Sequence, residues 1–253
     1  MTLIELMIAI ALSMIVISLF STLLLTARHQ QIVQATLNEL QENARTAFHI
    51  LTTEISMAGY IGCPALSNDF PLLNHTTAPF TPQTSLSGTD NSFTVQHTEM
   101  PASTALSTSP EIQVMSDVNY KPRDIMLITD CLHAEIFVVA SIASHGDIQT
   151  LRPVTALQNN YDSLAEVGRL ASNTYFIENN YLVKKDIHGQ KQFLVAGIKR
   201  MQIIYSAQIG DEIVEVHHTH GEKVTSIRGV SVCLWLYTNK LEKQQCLFVR
   251  PKA

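Results

Sequence analysis

The hydrophobic positions of the chain form three successive patterns, of which the first is an uninterrupted apolar run at the N-terminal end. From Leu6 to Ala27 there is no charged residue, proline or glycine, and Arg28 ends the run. A helix needs about 20 apolar residues to cross a bilayer. The basic start and small-residue cleavage site of a secretory signal peptide are missing here. The pattern therefore predicts a retained transmembrane helix over residues 1–27.

The second pattern is an amphipathic stripe that continues the same helix over residues 28–60. Apolar residues recur every three or four positions, which is the spacing of one helix face. They are Val33, Leu37, Leu40, Ala44, Ala47, Leu51, Ile55 and Ala58. The next helix-breaking residues are Gly59 and Pro64. We expect one helix of about 85 Å with its second half packed on a globular head. A membrane anchor followed by an independent coiled coil is the alternative.

The third pattern, over residues 61–253, is that of a β-rich head. Residues 64–110 are rich in Ser, Thr and Pro and predict a long surface loop, with one brief strand at Ser92–Gln96. The strands predicted after this loop are Glu111–Val118, Asp124–Thr129, Ala134–Ile142, Ile148–Leu151, Thr174–Ile177, Tyr181–Lys185, Gln192–Val195, Met201–Gln208, Thr225–Tyr237 and Gln245–Val249. Short connections and the lack of a second long helix predict an antiparallel sheet, hence an α+β fold whose sheet buries one face on the stripe.

Glu5 is a carboxylate at the very edge of the apolar run. An acid within a membrane helix is costly unless another group pairs with it, and such acids are therefore candidates for function. The alternative is that Glu5 lies at the headgroup level, where the helix dipole favours a negative charge near the N-terminus.

The segment Met1–Ile8 resembles the start of a mature type IV pilin, which carries a glutamate at its fifth position, as Glu5 does here. The family usually has phenylalanine where this sequence has Met1. The resemblance implies processing and N-methylation by prepilin peptidase. It also implies that Glu5 of an incoming subunit neutralises the α-amino group on Met1 of its neighbour, which fixes the axial register of the filament.

Further segments are similar to PilW-type minor pilins. They are Leu40–Arg45, Met57–Cys63, Asp124–Cys131, Ala134–Phe137, Tyr175–Ile177 and Gly197–Gln202. This resemblance implies the type IV pilin fold and a subunit of the tip complex that primes pilus assembly, supporting adhesion, twitching motility or DNA uptake. The implied partners are other minor pilins, the major pilin, a large tip adhesin and inner-membrane lipid. The head is expected in the periplasm first and on the surface pilus afterwards.

Composition narrows the range of function. The chain has 253 residues, 46% hydrophobic and 15% charged, with a net charge of −5. This composition favours a folded domain with a real core over a disordered chain. An acidic balance disfavours broad binding to a phosphate backbone, so nucleic acid is not a predicted partner.

Four cysteines in a domain outside the cytoplasm predict two disulfides, with four free buried thiols as the alternative. A two-residue turn at Asn239–Lys240 places Thr238 opposite Leu241. The same register pairs Cys233 with Cys246 at a non-hydrogen-bonded position, where side chains approach closely. The remaining pair, Cys63 and Cys131, would join the end of the helix to the sheet.

Nothing in the sequence indicates catalysis or a bound metal. The nucleophile elbow, the Gly-rich phosphate loop and the HExxH zinc motif are all missing, so we expect neither an enzyme nor a cofactor. The cluster His217–His220 lacks the spacing of a helical metal site and is interpreted as a solvated loop. Two other functions stay open: a minor pseudopilin of type II secretion, and a membrane-anchored receptor or hydrolase whose head binds a ligand.

Overall fold

The computed structural model describes residues 3–62, 66, 69–77, 79–100, 102–108, 111–115, 118–162, 164–210, 212–219, 226–238 and 241–251, of which 3–6, 9 and 241 are described by their backbone alone. These residues form one α-helix followed by fifteen β-strands. The fold class is therefore α+β, as the periodicity predicts.

The helix α1 spans Leu3–Ser56, a length of 54 residues or about 80 Å. It is continuous because its sequence contains no glycine or proline. Its last turn tightens, since the amide of Ala58 donates to the carbonyl of Ile55 at 3.2 Å. The helix thus ends at Ser56, four residues before the predicted bound at residue 60.

The strands that follow are mostly short and antiparallel. They are β1 (Leu72–Asn74), β2 (Leu86–Gly88), β3 (Ser92–Thr98), β4 (Ser103–Ser107), β5 (Ile112–Met115), β6 (Ile125–Thr129), β7 (Ala134–His145), β8 (Ile148–Pro153), β9 (Glu166–Glu178), β10 (Tyr181–Lys185), β11 (Lys191–Ala196), β12 (Ile198–Ile209), β13 (Glu212–Val216), β14 (Ser226–Thr238) and β15 (Leu241–Val249).

A four-stranded sheet in the order β13-β12-β14-β15 forms one wall of the core around the helix. Side chains alternate along its strands, so that Met201, Ile203 and Tyr205 of β12 are buried with Val232 and Leu234 of β14. These residues belong to the same core cluster as Leu40, Leu51 and Ile55 of α1. The sheet therefore buries one face with the helical stripe.

The larger sheet has eleven strands and is organised by β9. The C-terminal half of β9 pairs with β3 and β10, and this part contributes Phe93, Val95, Tyr175 and Leu182 to the core around the helix. The N-terminal half of β9 pairs with β4 and β6. One long strand thus connects the helix-packed part of the head to the part farther from the helix.

The part farther from the helix is a closed barrel of six antiparallel strands. Pairing runs from β4 to β5, β8, β7, β6 and β9, and β9 returns to β4. A separate core cluster fills its interior, with Val114, Met126, Phe137, Leu151 and Val167 among its members. Because β9 returns to β4, neither of these two strands is left as the open edge of the ring.

Two expectations about the head need correction. The loop predicted over residues 64–110 contains β1, β2 and β4 in addition to the predicted strand at Ser92–Gln96, which lies within β3. The three unpredicted strands are only three to five residues long, which is too short to show a clear alternation in the sequence. The sheet is also not purely antiparallel, since β1 pairs with β7 in parallel. The same segment packs Leu66 and Phe80 with Leu127 and Ile136, in a third core cluster.

Candidate assembly surface on the N-terminal helix

The N-terminal half of α1 presents a bare apolar surface. Among the described residues, this is the one helix long and apolar enough to span a membrane, and its most apolar 18-residue window has a mean hydropathy of 2.3 with none of it buried. Large side chains from Met7 to Leu25 are exposed, including Phe20 at 63%. Water does not solvate such a surface well, so it fits a lipid bilayer or the apolar core of an assembly.

The hydroxyl groups within this apolar half are all satisfied by the helix itself. Ser13 donates to the carbonyl of Ile10, and Thr22 donates to that of Leu19, each at 2.8 Å. Ser18, Ser21 and Thr26 make equivalent bonds. A hydroxyl paired in this way is tolerated in hydrocarbon, where an unpaired one costs free energy. The Ser and Thr residues therefore do not oppose membrane insertion.

Of the two residues predicted to make the subunit contact, Glu5 lies in the backbone of α1, before the apolar surface. Glu5 belongs to α1, while its side chain and Met1 lie outside the described residues. The helix backbone therefore places Glu5 in the first two turns of the same rod that carries the apolar surface.

The predicted packing stripe is buried over most of its length. Six of its members belong to the core, with exposed fractions of 3% or less: Leu40, Ala44, Ala47, Leu51, Ile55 and Ala58. Val33 is half-buried and Leu37 is 37% exposed. These two come before Leu40, the first residue of the stripe that belongs to the core.

Two glycines make the turn by which the chain leaves the helix. Gly59 has a φ of 73° and Gly62 a φ of 108°, values that residues with a side chain rarely adopt. The amide of Gly59 donates to the carbonyl of Gln96 at 2.9 Å, and the amide of Thr98 donates to that of Tyr60 at 2.8 Å. The turn is thereby joined to β3. The positive φ values of the turn therefore explain why glycine occupies positions 59 and 62.

A partly buried ion pair joins the last turns of α1 to the sheet. Glu54 Oε2 lies 3.5 Å from Nε2 of His97 and accepts a hydrogen bond from Nδ2 of Asn173 at 3.3 Å. Burial alone lowers the pKa of His97, but its ion pair with Glu54 and its hydrogen bond to the Thr98 carbonyl outweigh this and raise the pKa. Neither Glu54 nor His97 has an unusual setting in the sequence, so this pair could not be predicted.

The structure contains the predicted disulfide between Cys233 and Cys246. The two residues are directly paired across β14 and β15, with Thr238 opposite Leu241, and their Cα atoms are 4.0 Å apart. Cys131 is also disulfide-bonded, and Cys63, its predicted partner, lies outside the described residues.

The described residues of the histidine cluster, His217–Thr219, differ in their surroundings. His217 and His218 follow β13 and are exposed. Thr219 is buried and accepts a hydrogen bond from the amide of Gly88 at 2.8 Å. His220 lies outside the described residues. Within the described part of the chain, no three metal-binding side chains come together. The cluster therefore supplies a link between β13 and β2 rather than a recognisable ligand set.

A second buried carboxylate lies in the barrel and was also missed. Glu135 is fully buried and accepts hydrogen bonds from the amides of Gln158 and Asn159, with Nε2 of His75 at 2.8 Å. These contacts hold the loop after β8 and the chain after β1 on the barrel. A signal was present, since Glu135 interrupts the apolar run from Ala134 to Ala140.

Comparison of the chain with protein-family models, with curated proteins and with solved structures finds no match.

Proposed function

We propose that this chain is a minor pilin of the PilW type, a subunit that helps to initiate assembly of a type IV pilus. The observation that carries the proposal is one unbroken helix with two different surfaces. Its first half is apolar and bare, and its second half is buried in a β-rich head. The first half of this helix is suited to an apolar environment, and the head that packs on its second half is suited to water.

The helix supplies the physical means of assembly. Before assembly, hydrocarbon covers the exposed side chains between Met7 and Leu25. In the filament, the helices of neighbouring subunits replace the lipid, and the apolar surface stays out of water. The same surface thus serves both states, and transfer between them exposes little apolar area to water.

Glu5 gives the contact its register. In an apolar filament core, a carboxylate without a partner is strongly penalised, so Glu5 favours the one position that brings it to the α-amino group on Met1 of a neighbour. Prepilin peptidase is the enzyme expected to expose and methylate that amine. Other minor pilins and the major pilin are the neighbours, and a large tip adhesin is carried by the complex.

The head fits residence outside the cytoplasm. Disulfides persist in oxidising compartments such as the periplasm, and the head contains the bond between Cys233 and Cys246. The proposal therefore places the head in the periplasm, with α1 in the inner membrane, until the subunit enters the pilus.

The decisive experiment compares Glu5→Ala with Glu39→Ala in the native cell. Glu39 is an exposed acid of the same helix, outside the apolar run. We expect Glu5→Ala to leave the head folded and to reduce surface piliation sharply, while Glu39→Ala leaves piliation unchanged. Normal piliation in the Glu5→Ala strain would refute the assigned role of Glu5.

N-terminal sequencing and intact-mass analysis of sheared filaments test incorporation separately. A processed and N-methylated chain in the filament fraction supports the proposal. A chain confined to membranes would favour the anchored receptor instead. A secretion defect with intact pili would favour the type II pseudopilin.

A further inference from the structure

A basic groove lies where the larger sheet meets the start of β12. Its volume is about 630 Å³, and its lining includes four cations, which are Lys185, Lys191, Lys199 and Arg200. This volume falls within the range of about 300–1,000 Å³ found for small-molecule sites. We call this cavity the basic groove.

The basic groove has an excess of positive charge. Lys191 is paired with Glu178 at 2.8 Å, and Lys199 is paired with Glu242 at 3.1 Å. Lys185 and Arg200 have no carboxylate partner among the described residues, and no Asp or Glu lies in the described lining. Two uncompensated cations therefore share one concave surface of a chain whose net charge is −5.

The strand register makes this arrangement unfavourable without an anion. Lys185 of β10 is the direct cross-strand partner of Lys191 in β11. Like charges in directly opposite positions destabilise a strand pair. Glu178 forms an ion pair with Lys191 but not with Lys185. Lys185 therefore has a second ammonium group, that of Lys191, at its cross-strand position. An anionic group between the two would convert repulsion into attraction.

Three of the cations lie over aromatic rings. The Arg200 guanidinium lies 3.9 Å from the centre of the Trp235 ring. Lys191 Nζ lies 5.6 Å from the centre of the Phe176 ring, and Lys199 Nζ lies 5.7 Å from that of Tyr237. Cation–π contacts fix the direction of long side chains and so reduce the entropy lost when a ligand binds. The groove is therefore partly preorganised for an anion.

The shape and charge indicate a compact ligand rather than a long polyanion. A track for nucleic acid combines cations with open aromatic faces for base stacking. Here cations already cover Phe176 and Trp235 on one face, and the acidic chain as a whole repels an extended polyanion. We propose that the basic groove binds a compact ligand with two or more phosphate, sulfate or carboxylate groups. This function is independent of the contact made by Glu5.

The test measures binding to the full chain in an uncharged detergent. A labelled, fully sulfated heparin-derived tetrasaccharide is the first probe, inorganic tripolyphosphate the second, and a short single-stranded oligonucleotide the third. Lys185→Gln is the test variant, since Lys185 is exposed and its replacement leaves the core intact. Arg152→Gln is the control, because it removes the same charge from an exposed position on β8.

We expect the wild-type chain to bind a compact probe with an affinity that falls as salt is added. Lys185→Gln should weaken binding about five-fold, the effect of losing one close charge in water, and Arg152→Gln should not change it. Binding of the tetrasaccharide alone supports an acidic saccharide, and equal binding of tripolyphosphate supports a phosphate ligand. Equal weakening by both variants, failure of both compact probes, or binding of the oligonucleotide alone would each overturn the proposal.

Discussion

Glu54 of the helix and His97 of β3 are linked across 3.5 Å, at the point where α1 meets the larger sheet. Nδ1 of His97 donates to the carbonyl of Thr98 at 3.0 Å, so Nε2 carries a proton toward Glu54 when the ring is protonated. The orientation of the rod relative to the head thus depends partly on a titratable pair.

This pair predicts a pH dependence of stability. The pKa of His97 is raised above 6.5, so its contribution is complete below pH 6.5 and is lost as pH rises through the raised pKa. For Glu54, burial raises the pKa, but the ion pair with His97 and the charge of Lys184 outweigh this and lower it below 4.5. Its contribution is complete above pH 4.5 and is lost as pH falls through the lowered pKa. We expect the contribution of the pair to be greatest between these two values.

The check is thermal unfolding of the full chain in detergent, with His97→Gln beside the wild type. At pH 5.5 the variant should lose about 1 to 3 kcal/mol, because Glu54 is left without its charged partner. The difference should shrink toward pH 9. A constant difference across this range would show that the ion pair does not contribute.

The stripe contains a matched pair of leucines for testing its packing. Leu40 is 3% exposed and Leu37 is 37% exposed, and they are three residues apart on the same helix. Leu40→Ala should cost about 2 to 5 kcal/mol of unfolding free energy, because it leaves a cavity in the core. Leu37→Ala should cost less than about 1 kcal/mol. Equal losses in chemical denaturation would show that the head does not bury the stripe as described.

Features set by short-range patterns could be predicted from the sequence. The helix follows from an apolar run and a stripe without helix breakers, and the pairing of Cys233 with Cys246 follows from counting outward from a two-residue turn. Both depend on residues close together in the chain, so local geometry decides them.

Features that depend on contacts distant in sequence could not be predicted. Closure of the barrel requires β9 to pair with β4, far earlier in the chain, and no periodicity encodes that choice. The same holds for the candidate sites. Glu5 is conspicuous as a charge beside an apolar run, whereas Lys185 and Arg200 come from separate strands and meet only after folding.

The disulfide of the β14–β15 hairpin predicts a measurable contribution to stability. Cys233 and Cys246 are separated by 13 residues, and closing a loop of about this length restricts the unfolded chain by about 3 kcal/mol. Replacing both cysteines by serine should lower the unfolding free energy by about 2 to 3 kcal/mol. Reduction of the wild-type chain should cost at least as much, because it also breaks the disulfide of Cys131. An unchanged unfolding midpoint in the double variant would contradict the prediction.

We expect any side chain at position 62 to destabilise the fold. A Cβ atom there would lie 2.7 Å from Oε2 of Glu166 and 2.8 Å from Cγ2 of Thr129, at a φ of 108°. Gly62→Ala should therefore cost about 2 to 4 kcal/mol. Gly146→Ala is the control, since Gly146 also has a positive φ but nothing lies within 4 Å of its Cβ position. The control should cost only about 1 kcal/mol, and equal losses in thermal unfolding would mean that crowding at Gly62 is unimportant.

We expect the charge of Glu135 to make the stability of the fold depend on pH in the acid range. Burial raises its pKa, but hydrogen bonds from the amides of Gln158 and Asn159 and from His75 outweigh burial and lower the pKa below 4.5. Its contribution to stability is therefore complete above pH 4.5 and is lost as pH falls through the lowered pKa.

Glu135→Gln keeps the shape of the side chain and removes its charge, so at pH 7 it should lower the unfolding free energy by about 2 to 3 kcal/mol. Glu111→Gln is the control, because the ion pair of Glu111 with Arg152 is largely exposed and should contribute less than about 1 kcal/mol. Acid unfolding followed by near-ultraviolet circular dichroism should show that the difference between wild type and Glu135→Gln disappears as Glu135 is protonated. If the difference persists at the lowest pH, the loss comes from altered packing and the charge of Glu135 does not hold the loop.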